Sequence, residues 1–93
     1  MSDIYGRPDK RKPCACMSWT TASGEITPIM VKIQDEDGEI VELRNIEVLR
    51  TEKHEEYNRT MWIFKCRAPR GNMYQTFNLS YFSVMNKWEA WKV

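Results

Sequence analysis

The chain has 93 residues, 42% of them hydrophobic and 29% charged, with a formal net charge of +1. A chain of this length supports one hydrophobic core and buries only about 60–65% of the surface its unfolded form exposes, which leaves little interior for an enclosed substrate pocket. No stretch approaches the roughly 18 apolar residues of a membrane-spanning helix, and no apolar run follows a basic start; the expectation is a cytoplasmic protein without membrane contact.

Residues 1–24 hold the breakers Gly6, Pro8 and Pro13, the basic cluster Lys10-Arg11-Lys12 and the pair Cys14 and Cys16, with neither a period of 2 nor one of 3.6. They are expected to form a flexible N-terminal arm that folding does not need, with a single antiparallel β domain over 25–93. From Ile26 the period becomes 2: Ile29, Val31 and Ile33 alternate with Met30, Lys32 and Gln34, Asp35-Glu36-Asp37-Gly38 interrupts, and Ile40-Val41-Glu42-Leu43 resumes. This predicts a hairpin with Gly38 in the left-handed position, Asp35 facing Glu39, Ile33 paired with Val41 and Val31 with Leu43.

After Leu43 the apolar parity moves to even positions at Ile46 and Val48, which requires a bend or bulge at Asn45. A third strand is expected over 46–52, then a polar connection His54–Arg59 and a fourth strand over 61–67. Pro69-Arg70-Gly71 supplies turn chemistry, with Ala68 facing Asn72, so that a fifth strand over 73–82 pairs Ile63 with Phe77 and Met61 with Leu79. That register puts Trp62, Phe64 and Cys66 on one face with Tyr74, Thr76 and Asn78. A sixth strand closes the chain over 87–93, with Trp88 and Trp91 on opposite faces.

The expected fold class is all-β: a small, strongly bent antiparallel sheet or SH3-like barrel of about six strands with an irregular N-terminal arm. The strand count and the bent second strand are similar to SH3-like barrels; no residue motif carries that similarity, and architecture alone licenses no function.

Charge is unevenly placed. Residues 1–24 hold four basic and two acidic side chains, residues 25–56 four and ten, and residues 57–93 six and one; the last segment also holds nine of the eleven aromatics. Cross-strand pairing could neutralise the acidic strands against the basic ones. A working surface is the other reading: Lys65, Arg67, Arg70, Tyr74, Lys87, Trp91 and Lys92 would offer cations for phosphates and rings for unstacked bases. The expected function is therefore a non-catalytic binding module contacting a macromolecule, nucleic acid or protein, through this basic and aromatic face. The alternative is a small protein-binding or inhibitory module using the acidic hairpin at Asp35, Asp37 and Glu39.

A third possibility is a zinc- or thiol-dependent protein built on Cys14, Cys16, Cys66 and the one histidine, His54, since zinc takes thiolate and imidazole in a tetrahedral shell. The spacing argues against it: C-x-C is a less usual clamp than C-x2-C, and no second close pair exists. An odd cysteine count without an export signal fits reduced thiols. His54 stands in His54-Glu55-Glu56, a run typical of a solvated loop and not of a pocket holding a nucleophile beside its base, and no metalloprotease, P-loop or dinucleotide motif is present. No enzyme activity, cofactor or metal is expected.

Overall fold

The computed structural model describes residues 11–92. Seven strands make up the described chain: β1 (Lys12–Thr20), β2 (Ile26–Gln34), β3 (Ile40–Arg44), β4 (Glu47–Glu56), β5 (Arg59–Arg70), β6 (Met73–Phe82) and β7 (Lys87–Trp91). They form one antiparallel sheet in the order β3-β2-β1-β7-β6-β5-β4.

The strand missed by sequence is β1. It lies in the segment expected to be an irregular arm, yet it occupies the middle of the sheet, pairing with β2 along Ala15–Thr20 and with β7 along Lys12–Cys14. Its alternation is present but disguised. Cys14 and Cys16 turn inward and pack against the core, while the outward set, Ala15, Met17 and Trp19, is also apolar, so no polar partner set marks the period. Residues 1–10 of the expected arm lie outside the described residues.

The β2–β3 hairpin has the expected register, with Ile33 opposite Val41 and Val31 opposite Leu43. The Asp35 N–H donates to the Glu39 carbonyl at 2.9 Å, the Gly38 N–H donates to the Asp35 carbonyl at 3.0 Å, and Gly38 has φ +83°. Gly71 has φ +63°. A Cβ at Gly71 would meet nothing within 4 Å, and one at Gly38 only the Gln34 side-chain nitrogen at 3.8 Å. The cost of Gly38→Val or Gly71→Val is thus a backbone cost, and each substitution should destabilise by about 1–2 kcal/mol in denaturant titration.

The edge strands β3 and β4 are separated in sequence by only Asn45 and Ile46. Three Cα steps reach at most about 11 Å, so the two edges must come together and the sheet must roll. β3 accordingly touches β5. The bend is where parity required it, at Asn45, whose φ is +57°. Alternating strand directions across the seven positions make β3 and β4 run the same way. β4 therefore prolongs β3 after the bend instead of lying beside it, and no ladder joins the edges. The sheet is open, which corrects the closed-barrel expectation, and it has seven strands instead of six.

Two further expectations change. The segment 54–59 is mostly strand: β4 continues to Glu56 and only Tyr57 and Asn58 turn the chain, with Tyr57 at φ +53°. The β5–β6 turn is the two-residue Gly71-Asn72, so Arg70 faces Met73 and the pairs are Ile63 with Ser80, Phe64 with Leu79 and Cys66 with Phe77. Pro69 remains in the strand, and the glycine takes the first central position of a tight hairpin turn. A slip by an odd number of residues exchanges faces. It sets Phe64 and Cys66 against Leu79 and Phe77, where a core forms, instead of against Tyr74, Thr76 and Asn78.

That core lines the concave face: Val31, Ile33 and Leu43 from one side, Phe64, Cys66, Ala68, Phe77 and Leu79 from the other, bridged by Trp88 and Ala90. Phe64 stacks between Trp62 and Trp88, at ring-centroid distances of 6.4 and 5.8 Å. Tyr81 lies 4.8 Å from Trp88.

Candidate binding surfaces

Strand parity sends Lys65 and Arg67 of β5 and Tyr74 of β6 to the convex face. The Arg67 guanidinium lies 4.9 Å from the centroid of the Tyr74 ring, and its Nε donates to Glu47 Oε1 at 2.8 Å. Lys65 stands opposite Arg50 on one side and Asn78 on the other. Arg50, counted by sequence with the acidic segment, thereby joins the basic group; only the β4–β5 register could reveal it. It also bridges Glu52 at 3.1 Å.

The other basic candidates are scattered. Arg70, at the end of β5, reaches Gln75 Oε1 at 3.1 Å and Asp35 Oδ2 at 3.4 Å. Lys87 stands at the opposite end of the sheet, 4.0 Å from Glu89. Trp91 is buried on the face opposite Trp88, with the Arg11 guanidinium 4.4 Å from its ring centroid, so it offers no free stacking surface. Lys92 is exposed just beyond β7. Two of these pairs, Arg67 with Glu47 and Arg70 with Asp35, join the basic C-terminal part to the acidic middle, while Arg50–Glu52 and Lys87–Glu89 each lie within one strand. Each exposed pair contributes only about 0–1 kcal/mol, but together they reduce the positive field a polyanion would meet.

The acidic hairpin is internally engaged at its base. Asp35 Oδ1 accepts from the backbone N–H groups of Asp37 at 2.9 Å and Glu39 at 3.0 Å. Those backbone bonds, that from Glu39 first, and the Arg70 guanidinium hold the Asp35 carboxyl below its ordinary value. Asp37 and Glu39 are exposed.

All three cysteines carry free thiols that face the concave side. Burial raises each from an ordinary value near 9 to about 12; the Glu89 carboxylate adds to the effect at Cys14, and the neighbouring Cys14 and Cys66 thiols add to it at Cys16. Since the thiolate is the reactive form, native protein should be alkylated much more slowly than urea-unfolded protein at pH 8. The unfolded chain would release these protons near pH 9 while the folded chain holds them to about 12. Their contribution to stability is therefore full below pH 9 and lost as pH rises toward 12. Among the described residues, no group of three or more His, Cys, Asp and Glu is placed to hold a metal. His54 is on β4, with Nε2 3.3 Å from Glu52 Oε1. It borders an open cavity of about 440 Å³ whose other walls include Met61, Phe82, Val84 and Met85.

Sequence reasoning offers no residue of β1 as a binding residue, yet the largest exposed apolar side chain of the sheet lies there. β7 ends opposite Cys14, so β1 continues past it as a two-stranded ribbon with β2. On this ribbon Trp19 is 66% exposed, Met17 57% and Ile29 44%. Ile29 is the extra residue of a bulge, because Met17 faces Met30 and Ser18 faces Pro28. The sequence signal was an uncharged run from Pro13 to Gly24 in a chain otherwise rich in charge.

Comparisons with protein-family models, curated proteins and solved structures give no match to this chain.

Proposed function

We propose that the protein is a non-catalytic binding module that docks another protein on the β1–β2 ribbon. The observation that carries this reading is Trp19, a tryptophan two-thirds exposed beside exposed Met17 in the uncharged run Pro13–Gly24. Interface cores are depleted in charge and enriched in aromatic residues and Met, and tryptophan is prominent among residues that dominate binding energy. Methionine adds a deformable surface that fits varied partners. A photoreactive residue in place of Trp19, illuminated in cells that make the protein, should form protein adducts. The same substitution at Tyr74 should form none. No adduct at position 19 would overturn the reading.

A second reading keeps nucleic acid as the partner, on the strength of one feature. Tyr74 is 64% exposed, with Arg67 against its ring and Lys65 further along the same face of β5. A stacked base there would contribute about 1–3 kcal/mol, with affinity falling steeply with salt. Titration of labelled single-stranded DNA and RNA at two salt concentrations tests it; binding lost on replacing Arg67 and Tyr74, with the fold kept, would favour it over the ribbon. A cytoplasmic setting, where thiols stay reduced, suits either reading and the three free cysteines.

A further inference from the structure

We infer that the partner of the β1–β2 ribbon is a second copy of this chain, added antiparallel to the free edge of β1 at Cys16–Thr20. The inference rests on the docking reading above and names its occupant.

The first support is the vacant place in the sheet. β1 is bordered by β7 only along Lys12–Cys14, and no backbone hydrogen bond among the described residues joins the remainder of β1 to the Ser83–Asn86 turn. Alternate N–H and C=O groups of the free length point away from β2 with no strand among the described residues to receive them, the arrangement on which an added strand pairs. Native sheets usually blunt such an edge with lysine, proline or an inward-pointing charge. Residues 14–20 contain none of these, and the bulge of this ribbon lies on β2.

The second support is self-complementarity. A two-fold axis at Ser18 opposes Cys16 to Thr20 and Met17 to Trp19 of the other copy, so the same patch serves both sides, as a closed dimer requires. Because Pro13–Gly24 holds no charged residue, no like charges meet. On the convex face Met17 of each copy meets Trp19 of the other, a favourable sulfur–aromatic contact. The ribbon tip of each copy then abuts the Ser83–Asn86 turn of the other. One operation therefore brings together Met17 and Trp19 of both copies, which stand 57% and 66% exposed among the described residues of the single chain.

Sedimentation equilibrium of the full chain over a wide concentration range should show a monomer–dimer equilibrium. Trp19→Asp should weaken it roughly tenfold or more, with an unchanged unfolding midpoint for the monomer because the side chain is exposed. Ser18→Pro, which removes an edge N–H or one paired with β2, is a second variant; if it lowers stability it is set aside and Met17→Asp is read in its place. Amide exchange at 16–20 should slow as concentration rises. A chain monomeric throughout, or a dimer indifferent to Trp19→Asp and Met17→Asp, overturns the inference. Where the chain is monomeric but the photoreactive residue at position 19 captures a different protein, self-pairing fails and the docking reading survives; with neither dimer nor adduct, both fail.

Discussion

Deletion of residues 1–17 should abolish cooperative unfolding of this protein, whereas the breaker-rich sequence of that segment suggests a dispensable arm. The deletion removes Lys12–Met17, which includes every residue through which β1 pairs with β7 and half of its ladder with β2. Without β1 the sheet falls into β2–β3 on one side and β4 to β7 on the other, with no ladder between them and the Asn45–Ile46 bend, the contact of β3 with β5, the Arg70–Asp35 pair and a core stripped of Cys14 and Cys16 to hold them. A two-stranded hairpin is at best marginally stable alone in water. Circular dichroism with a urea titration should show a broad, non-cooperative curve. A melting temperature within a few degrees of the full chain would mean that β1 is peripheral and the strand order wrong.

The second large effect is expected at Phe64. It is fully buried at the centre of β5, opposite Leu79, with rings of Trp62 and Trp88 on both sides. Truncation to alanine removes the shared wall of two aromatic contacts and leaves a cavity that neighbouring strands cannot close, so Phe64→Ala should cost about 3–5 kcal/mol. For a domain of this size that lowers the melting temperature by about 4–8 °C per kcal/mol, enough to bring a marginally stable protein near unfolding at room temperature. Tyr74→Ala is the informative companion. In the register inferred from sequence the two rings share a face; in the structure Tyr74 is on the other face and mostly exposed. Its loss should cost no more than about 1 kcal/mol, the scale of one exposed cation–π contact. Comparable losses at the two sites would contradict the observed β5–β6 register.

The candidate site was legible only in pieces. Residue type and segment composition point to Lys65, Arg67 and Tyr74, which the structure places on one face. Arg50 was missed because its segment is acidic overall, and its neighbourhood with Lys65 exists only through the β4–β5 ladder. The parity of Trp91 opposes that of Trp88 in sequence and structure alike; that Trp91 is buried with Arg11 against it is not readable from a local pattern. Trp19 is not marked as a surface residue by sequence, since nothing in its own segment tells how far β7 extends alongside it.

The sequence by itself determined the elements whose information is local. Alternation with an acidic, glycine-closed turn specified the β2–β3 hairpin to the residue, and the parity reversal after Leu43 located the bend at Asn45. Both follow from steric limits on a few neighbouring dihedrals and from the two-residue period of a strand. The tertiary structure decided whatever depends on partners distant in the chain. It drew Lys12–Thr20 into the middle of the sheet, where inward cysteines find Val31, Trp88 and the rest of the core. It selected the two-residue Gly71-Asn72 turn over a longer one, because only that register puts Phe64 and Cys66 on the side where Phe77 and Leu79 can be buried with them. It also left the sheet open, since β4 continues in the direction of β3 and two strands laid end to end cannot form a ladder. Local chemistry permits several turns and several edges; burial of apolar area, which sums over the whole sheet, chooses among them.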